Sequence, residues 1–257
     1  MQLAYEMQGD GPPLLILHGL FGSARNWTAV ARLLAESYKV HLVDLRNHGK
    51  SPHADTMTYE EMADDVRGFM LEHELSGAAV VGHSMGGKTA MTLALRHPEM
   101  VGPLVVVDIA PVAYRPHHAE LIAAMQATDL SGLQRRAEAD VRLAQRIADA
   151  GVRAFLGLSL MPADDGFGWQ FNLPAIAANL GAVSGFPEFE PEEIFPRPAL
   201  FVIGALSNYV QPTHHEAIRR LFPRSEIAVI EGAGHWVHAE KRDAFVARLR
   251  GFLAKAA

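Results

Sequence analysis

A chain of 257 residues, 49% hydrophobic and 20% charged, is long enough to bury one large core and shows no low-complexity tract. Its formal charge of -6 comes with no basic stripe, which excludes nucleic acid as an expected partner, and the lack of cysteine excludes disulfides, thiolate metal sites and a catalytic thiol. No apolar stretch approaches the ~20 residues of a membrane span, and the opening residues 1–6 lack the basic and apolar regions of a secretory signal, so a cytoplasmic location is expected.

In chain order, residues 14–17, 39–43, 78–81 and 104–107 are short, apolar and β-rich, and residues 26–36, 59–75 and 85–97 between them carry helical spacing. Continuous apolar strands alternating with helices predict an α/β fold with a mostly parallel sheet covered on both faces. The alternation then stops. Residues 111–197 offer no good strand, and helical spacing over 119–127, 132–150, 152–160 and 173–180 predicts an all-helical insertion. Strand and helix signals return at 199–203, 213–221, 226–230 and 241–255. The expected organisation is a core formed by residues 1–110 and 198–257, split by a helical cap over 111–197.

Gly82-His83-Ser84-Met85-Gly86 lies between a predicted strand and a predicted helix. A Gly-x-Ser-x-Gly string arises by chance in about one chain of this length in ten, so the strand, turn and helix context carries the argument. The glycines leave room for a sharp turn that holds the Ser84 hydroxyl clear as a nucleophile. Upstream, His18-Gly19-Leu20-Phe21-Gly22 follows the first apolar strand, and the backbone N–H groups of Leu20 and Met85, rather than that of Phe21, are expected to face a developing oxyanion. His18 is expected to orient this loop by hydrogen bonding. Near the C-terminus, His235 follows the last predicted strand in a glycine-rich loop, after Ser84 in chain order, and is the expected general base. His238 is expected to be only its neighbour, and His117-His118 and His214-His215 lack the spacing of a helical zinc site.

The acid is harder to place. The loop after the strand at 199–203 reads Gly204-Ala205-Leu206-Ser207-Asn208-Tyr209-Val210 and contains no carboxylate. Asp108 ends the strand beside the expected nucleophile strand, where a carboxylate reaches the far ring nitrogen of His235 and sets its tautomer. Asp44 follows another strand and is expected to tie down its own loop with Arg46.

The run from Asp44 to His53, with Gly82 to Lys88 and Gly232 to His238, resembles the small bacterial esterases of the YbfF type, which have the α/β-hydrolase fold, and their mitochondrial abhydrolase relatives. The resemblance extends through Phe155-Leu156 and 169–173 and so covers nearly the whole chain. It implies an acid at Asp108, a Ser/Asn-type loop at Ser207-Asn208, and hydrolysis of esters or acyl thioesters through an acyl-enzyme, with no metal or cofactor. Lys88 also fits the pattern. The cap departs from it at 157–160 and 175–178, which bears on substrate preference. Phe21, Phe155, Leu156, Trp169, Phe186 and Trp236 are candidates to line an acyl pocket. The same triad would serve a cofactor-free haloperoxidase or a carbon–carbon bond hydrolase, and a silent binding protein could keep the fold.

Overall fold

The computed structural model describes residues 1–116 and 118–256. The elements run β1 (Tyr5–Gln8), β2 (Pro13–Leu17), α1 (Thr28–Leu34), β3 (Lys39–Val43), α2 (Tyr59–Glu72), β4 (Ala78–His83), α3 (Met85–Arg96) and β5 (Val101–Val107). Next come α4 (Ala119–Gln126), α5 (Arg136–Ala144), α6 (Ala150–Gly157), β6 (Leu160–Ala163), β7 (Gly166–Trp169), α7 (Leu173–Ala178) and α8 (Leu180–Ser184). The chain closes with β8 (Ala199–Gly204), α9 (His215–Leu221), β9 (Ser225–Ile230), α10 (Val237–Glu240) and α11 (Arg242–Ala256).

Seven strands form one sheet in the order β1-β3-β2-β4-β5-β8-β9, parallel except for the β1–β3 pair. Alternate side chains of each central strand enter separate cores, as a period of two requires. Leu15, Leu17, Val80, Leu104, Val106 and Phe201 pack with α2, α3 and α9 on one face. Leu14, Ile16, Val81, Val105, Val107 and Leu200 pack with α1 and α11 on the other. Burial on both faces is why these strands read as unbroken apolar runs. Helix α2 starts where Thr58 and Glu61 cap each other's backbone N–H groups, at 3.2 and 2.9 Å.

The segment between β5 and β8 is not all-helical. It contains a β6–β7 hairpin in which Ala163 pairs with Gly166 and Pro162 with Phe167, so Asp164 and Asp165 make a two-residue turn. Pro162, Gly166 and Gly168 dilute the strand signal there, because neither residue type favours a strand interior. The strand β1 was also unpredicted, since three of its four residues are exposed and it carries no apolar run. The segment is tied to the sheet by polar bonds: the Ser159 hydroxyl donates to the Phe21 carbonyl (2.7 Å), the Asn172 N–H to the Asn47 carbonyl (2.8 Å) and the Tyr59 hydroxyl to the Val183 carbonyl (2.6 Å).

Candidate active site

Ser84 stands at the turn from β4 into α3 with φ 51 and ψ -118, a backbone conformation that L residues rarely adopt. The turn closes only with glycine on both sides. A Cβ on Gly82 would strike the Gly86 carbonyl, and one on Gly86 would come within 2.7 Å of the Leu17 carbonyl carbon. The Ser84 N–H donates to the Val107 carbonyl at 3.0 Å, which anchors the turn to β5. Helix α3 is buried from Met85 to Leu95, so the serine is mounted on an element that cannot shift without disturbing the core.

Asp108 follows β5 with φ 53 and is 1% exposed. Its carboxylate accepts three hydrogen bonds: from His235 Nδ1–H at 2.7 Å, from the Gly204 N–H at 3.0 Å, and from the Ser207 hydroxyl. The loop without a carboxylate thus contributes a hydroxyl and an amide to the carboxylate of the neighbouring strand. The Tyr209 ring stacks on the His235 imidazole, with centroids 4.0 Å apart and planes 22° from parallel. With Nδ1–H engaged by Asp108, the other ring nitrogen of a neutral His235 is the one that carries no proton. His235 and Ser84 line the same cavity.

His83, which the sequence reading passed over, donates its Nε2–H to the His235 carbonyl at 3.0 Å. Burial and the neighbouring His235 and His238 push its pKa well below the ordinary value, so it is a neutral brace. His238 stacks on Trp27 at 4.0 Å, and burial lowers its pKa to about 3.

The loop carrying Leu20 is held by two further neutral histidines. The Leu45 N–H donates to His18 Nε2 at 3.0 Å, and His18 Nδ1–H donates to the Gly19 carbonyl at 2.8 Å. The Phe21 N–H donates to His48 Nε2 at 3.1 Å, and His48 Nδ1–H to the Arg46 carbonyl at 3.0 Å. Burial lowers the pKa of His18 to about 4 and that of His48 to about 3. Phe21 is therefore already engaged, whereas among the described residues the Leu20 N–H has no backbone acceptor. The Met85 N–H opens α3 and precedes its hydrogen-bond ladder.

Asp44 does brace its loop, but not through Arg46. Its carboxylate accepts from the Ala24 and Lys50 N–H groups at 2.7 and 2.8 Å, while Arg46 pairs with Asp65 at 2.6 Å. Of the residues expected near substrate, Phe21, Phe155 and Trp236 line the cavity beside Ser84, and Phe155 packs on Trp236 at 5.1 Å. Leu156 is fully buried in the core, Trp169 stacks on Phe171 at 5.2 Å, and Phe186 lines a separate surface groove. His117 lies outside the described residues. Among the described residues no group of three or more His, Asp or Glu side chains is arranged to hold a metal ion.

Residues 12–242 match the family model described as the alpha/beta hydrolase fold. The chain belongs to the α/β-hydrolase family. Within it, this hydrolase is 36% identical over 247 residues to esterase YbfF of Escherichia coli (strain K12), covering 96% of this chain and 94% of that one. It is 42% identical over 265 residues to the mouse sn-1-specific diacylglycerol lipase ABHD11, covering 99% and 86% of the two chains. A solved marine microorganism esterase, 37% identical, superposes with a TM-score of 0.94 over 98% of this chain and 99% of that one. The chain is a YbfF-type α/β hydrolase and a carboxylic ester hydrolase. Among the described residues no helix is long and apolar enough to cross a membrane.

Proposed function

We propose that the protein cleaves carboxylic esters through an acyl-enzyme on Ser84, with His235 as general base, Asp108 as the acid that orients it, and the Leu20 and Met85 amides as oxyanion donors. The observation that carries this reading is the 2.7 Å hydrogen bond from His235 to the buried Asp108 carboxylate, with His235 and Ser84 lining one cavity. His235 takes the Ser84 proton as the hydroxyl attacks the carbonyl carbon. The Ser84 Oγ–C bond forms, the C–O bond to the alcohol breaks, and the proton passes from His235 to the leaving oxygen. Water then repeats the sequence and releases the acid. Ser207 and His83 are positioning residues: one shares the Asp108 carboxylate with His235, the other holds the His235 backbone.

The β5–β8 connection acts in this reading as a cap over the serine, contributing Leu121, Val152 and Phe155 to the cavity wall. Thioesters present the same carbonyl with a better leaving group and are included as substrates, as the chemistry of an acyl-enzyme allows. A serine-directed fluorophosphonate should label the native protein at Ser84, and Ser84→Ala should abolish both labelling and ester turnover. Undiminished turnover by Ser84→Ala, or an unlabelled native protein, would remove Ser84 from the mechanism.

A further inference from the structure

The loop at 204–210 meets the Asp108–His235 pair twice. The Ser207 hydroxyl donates to Asp108 Oδ2, the oxygen that accepts from His235 Nδ1–H at 2.7 Å. The Tyr209 ring lies face-on over the imidazole, with centroids 4.0 Å apart and planes 22° from parallel. Both backbone groups of Tyr209 are tied down beside the same carboxylate. Its N–H donates to the Ser207 hydroxyl at 3.2 Å, and its carbonyl accepts from the Tyr114 hydroxyl at 2.7 Å. That hydroxyl accepts in turn from the Ala110 N–H at 3.0 Å, two residues past Asp108. The ring is thus fixed over His235 by a network that includes the hydroxyl on Asp108.

We infer that Tyr209 is a positioning residue of the hydrolytic reaction, its ring face stabilising the positive charge that His235 acquires as Ser84 attacks. This rests on the reading of Ser84 and His235 given above. When the Ser84 proton passes to His235, a neutral imidazole becomes an imidazolium. A neutral ring stacked on tyrosine gains mainly dispersion, whereas a cation within about 6 Å of the ring centroid is drawn to the negative π face. The contact therefore strengthens when the charge forms. An interaction stronger in the transition state than in the ground state raises the rate of the chemical step. Asp108 acts on the imidazolium at its edge, through Nδ1–H, and Tyr209 acts on its face.

The surroundings suit this use. Among the described residues Asp108 is the one carboxylate within ion-pair distance of His235. The His83 ring, 4.7 Å from that of His235, and His238 behind it are held neutral by burial, so neither opposes the new charge. Burial pushes the Tyr209 phenol up to about 12, so its ring is uncharged at neutral pH. Tyr209 also lines the cavity with Ser84, and a direct contact with substrate is the alternative that the experiment must separate.

The test follows turnover of a short ester, 1-naphthyl acetate, from about pH 5 to about pH 9. Tyr209→Leu removes the π face and should lower kcat and kcat/KM together by about tenfold or more. The rising limb of kcat/KM should move down by about one pH unit, because an imidazolium without this partner holds its proton less tightly. Tyr209→Phe keeps the face and should recover most of the lost kcat, with the limb back in place. Fluorine atoms added stepwise to that phenyl ring withdraw charge from its face with little change in size, and kcat should fall with each. Should Tyr209→Leu fail to fold, as seen in a thermal melt, the fluorinated series decides alone. Turnover independent of fluorination, or a folded Tyr209→Leu protein altered only in KM, overturns the assignment. No ester turnover by the unsubstituted protein, together with no fluorophosphonate label on Ser84, overturns the hydrolase reading instead.

Discussion

The carboxylate of Asp108 takes three donors in a site closed to water, so it remains an acceptor for the His235 ring and fixes which nitrogen of that ring is free. Replacing it with asparagine presents an N–H toward Nδ1 and favours the wrong tautomer. Asp108→Asn is expected to lower kcat by about 10²–10⁴-fold with the fold intact, checked by steady-state kinetics beside a thermal melt. Ser207→Ala removes a donor to the same oxygen. In the proposed mechanism it should lower kcat by about tenfold with KM little changed, since there the hydroxyl orients His235 and does not touch substrate. The Asp108–His235 contact is legible in the sequence because the loop at 204–210 has no carboxylate and the residue after β5 is one. The Ser207 bond, the His83 brace and the Tyr209 stack are not, because each joins residues far apart in the chain.

The turn from β4 through Ser84 into α3 works because two glycines let three backbones approach closely. Gly86→Ala would drive a methyl group into the carbonyls that end β2, separating the Leu20 loop from Ser84. We expect it to destabilise the protein by about 2 kcal/mol or more and to abolish turnover, as read by denaturant unfolding and fluorophosphonate labelling. The central strands and the helices of the sheet domain announce themselves by period, because each packs against an apolar surface that fixes its phase. The β6–β7 hairpin does not. Its strands are four residues each, three of the residues in β6 are exposed, and its Pro and Gly content obscures any alternation. Arg46 is likewise placed by tertiary structure: it is drawn to Asp65 on α2, a partner that the local run around Asp44 does not display.

Across the whole molecule, several buried groups are more costly to charge in the fold than in the open chain. His18, His48 and His238 have folded pKa values of about 4, about 3 and about 3, against 6.5 unfolded. The unfolded chain therefore binds more protons below pH 6.5, and each histidine removes up to about 1.4 kcal/mol of stability per pH unit as pH falls toward its folded value. Burial lowers Lys88 from 10.5 to about 7, so its penalty is full below pH 7 and is relieved as pH rises toward 10.5. Tyr59 and Tyr114 are shifted upward by burial, and they cost stability once pH passes 10.0, where the unfolded phenols ionise. Burial likewise raises the pKa of Asp44, so it too costs stability as pH rises through the carboxylate range. The melting temperature is expected to climb from pH 4 to an optimum above pH 7 and to fall again above pH 10, measured by scanning at fixed ionic strength. A maximum near pH 5 would contradict the neutral state of these histidines.

The sequence by itself determined the sheet, because strands buried on both faces must be apolar throughout, and it determined the serine turn, because only glycine tolerates that geometry. It also ordered Ser84, Asp108 and His235 along the chain at strand ends that the parallel topology brings to one edge. Only the tertiary structure decided which aromatic residues reach the serine. Phe155 and Leu156 are adjacent in a helix, yet one faces the cavity and the other the core, and that choice depends on how the β5–β8 segment is set down by Ser159, Asn172 and Lys88. Helical spacing names a buried stripe; it does not say which neighbour covers it, and the shape of a cavity is set by that neighbour.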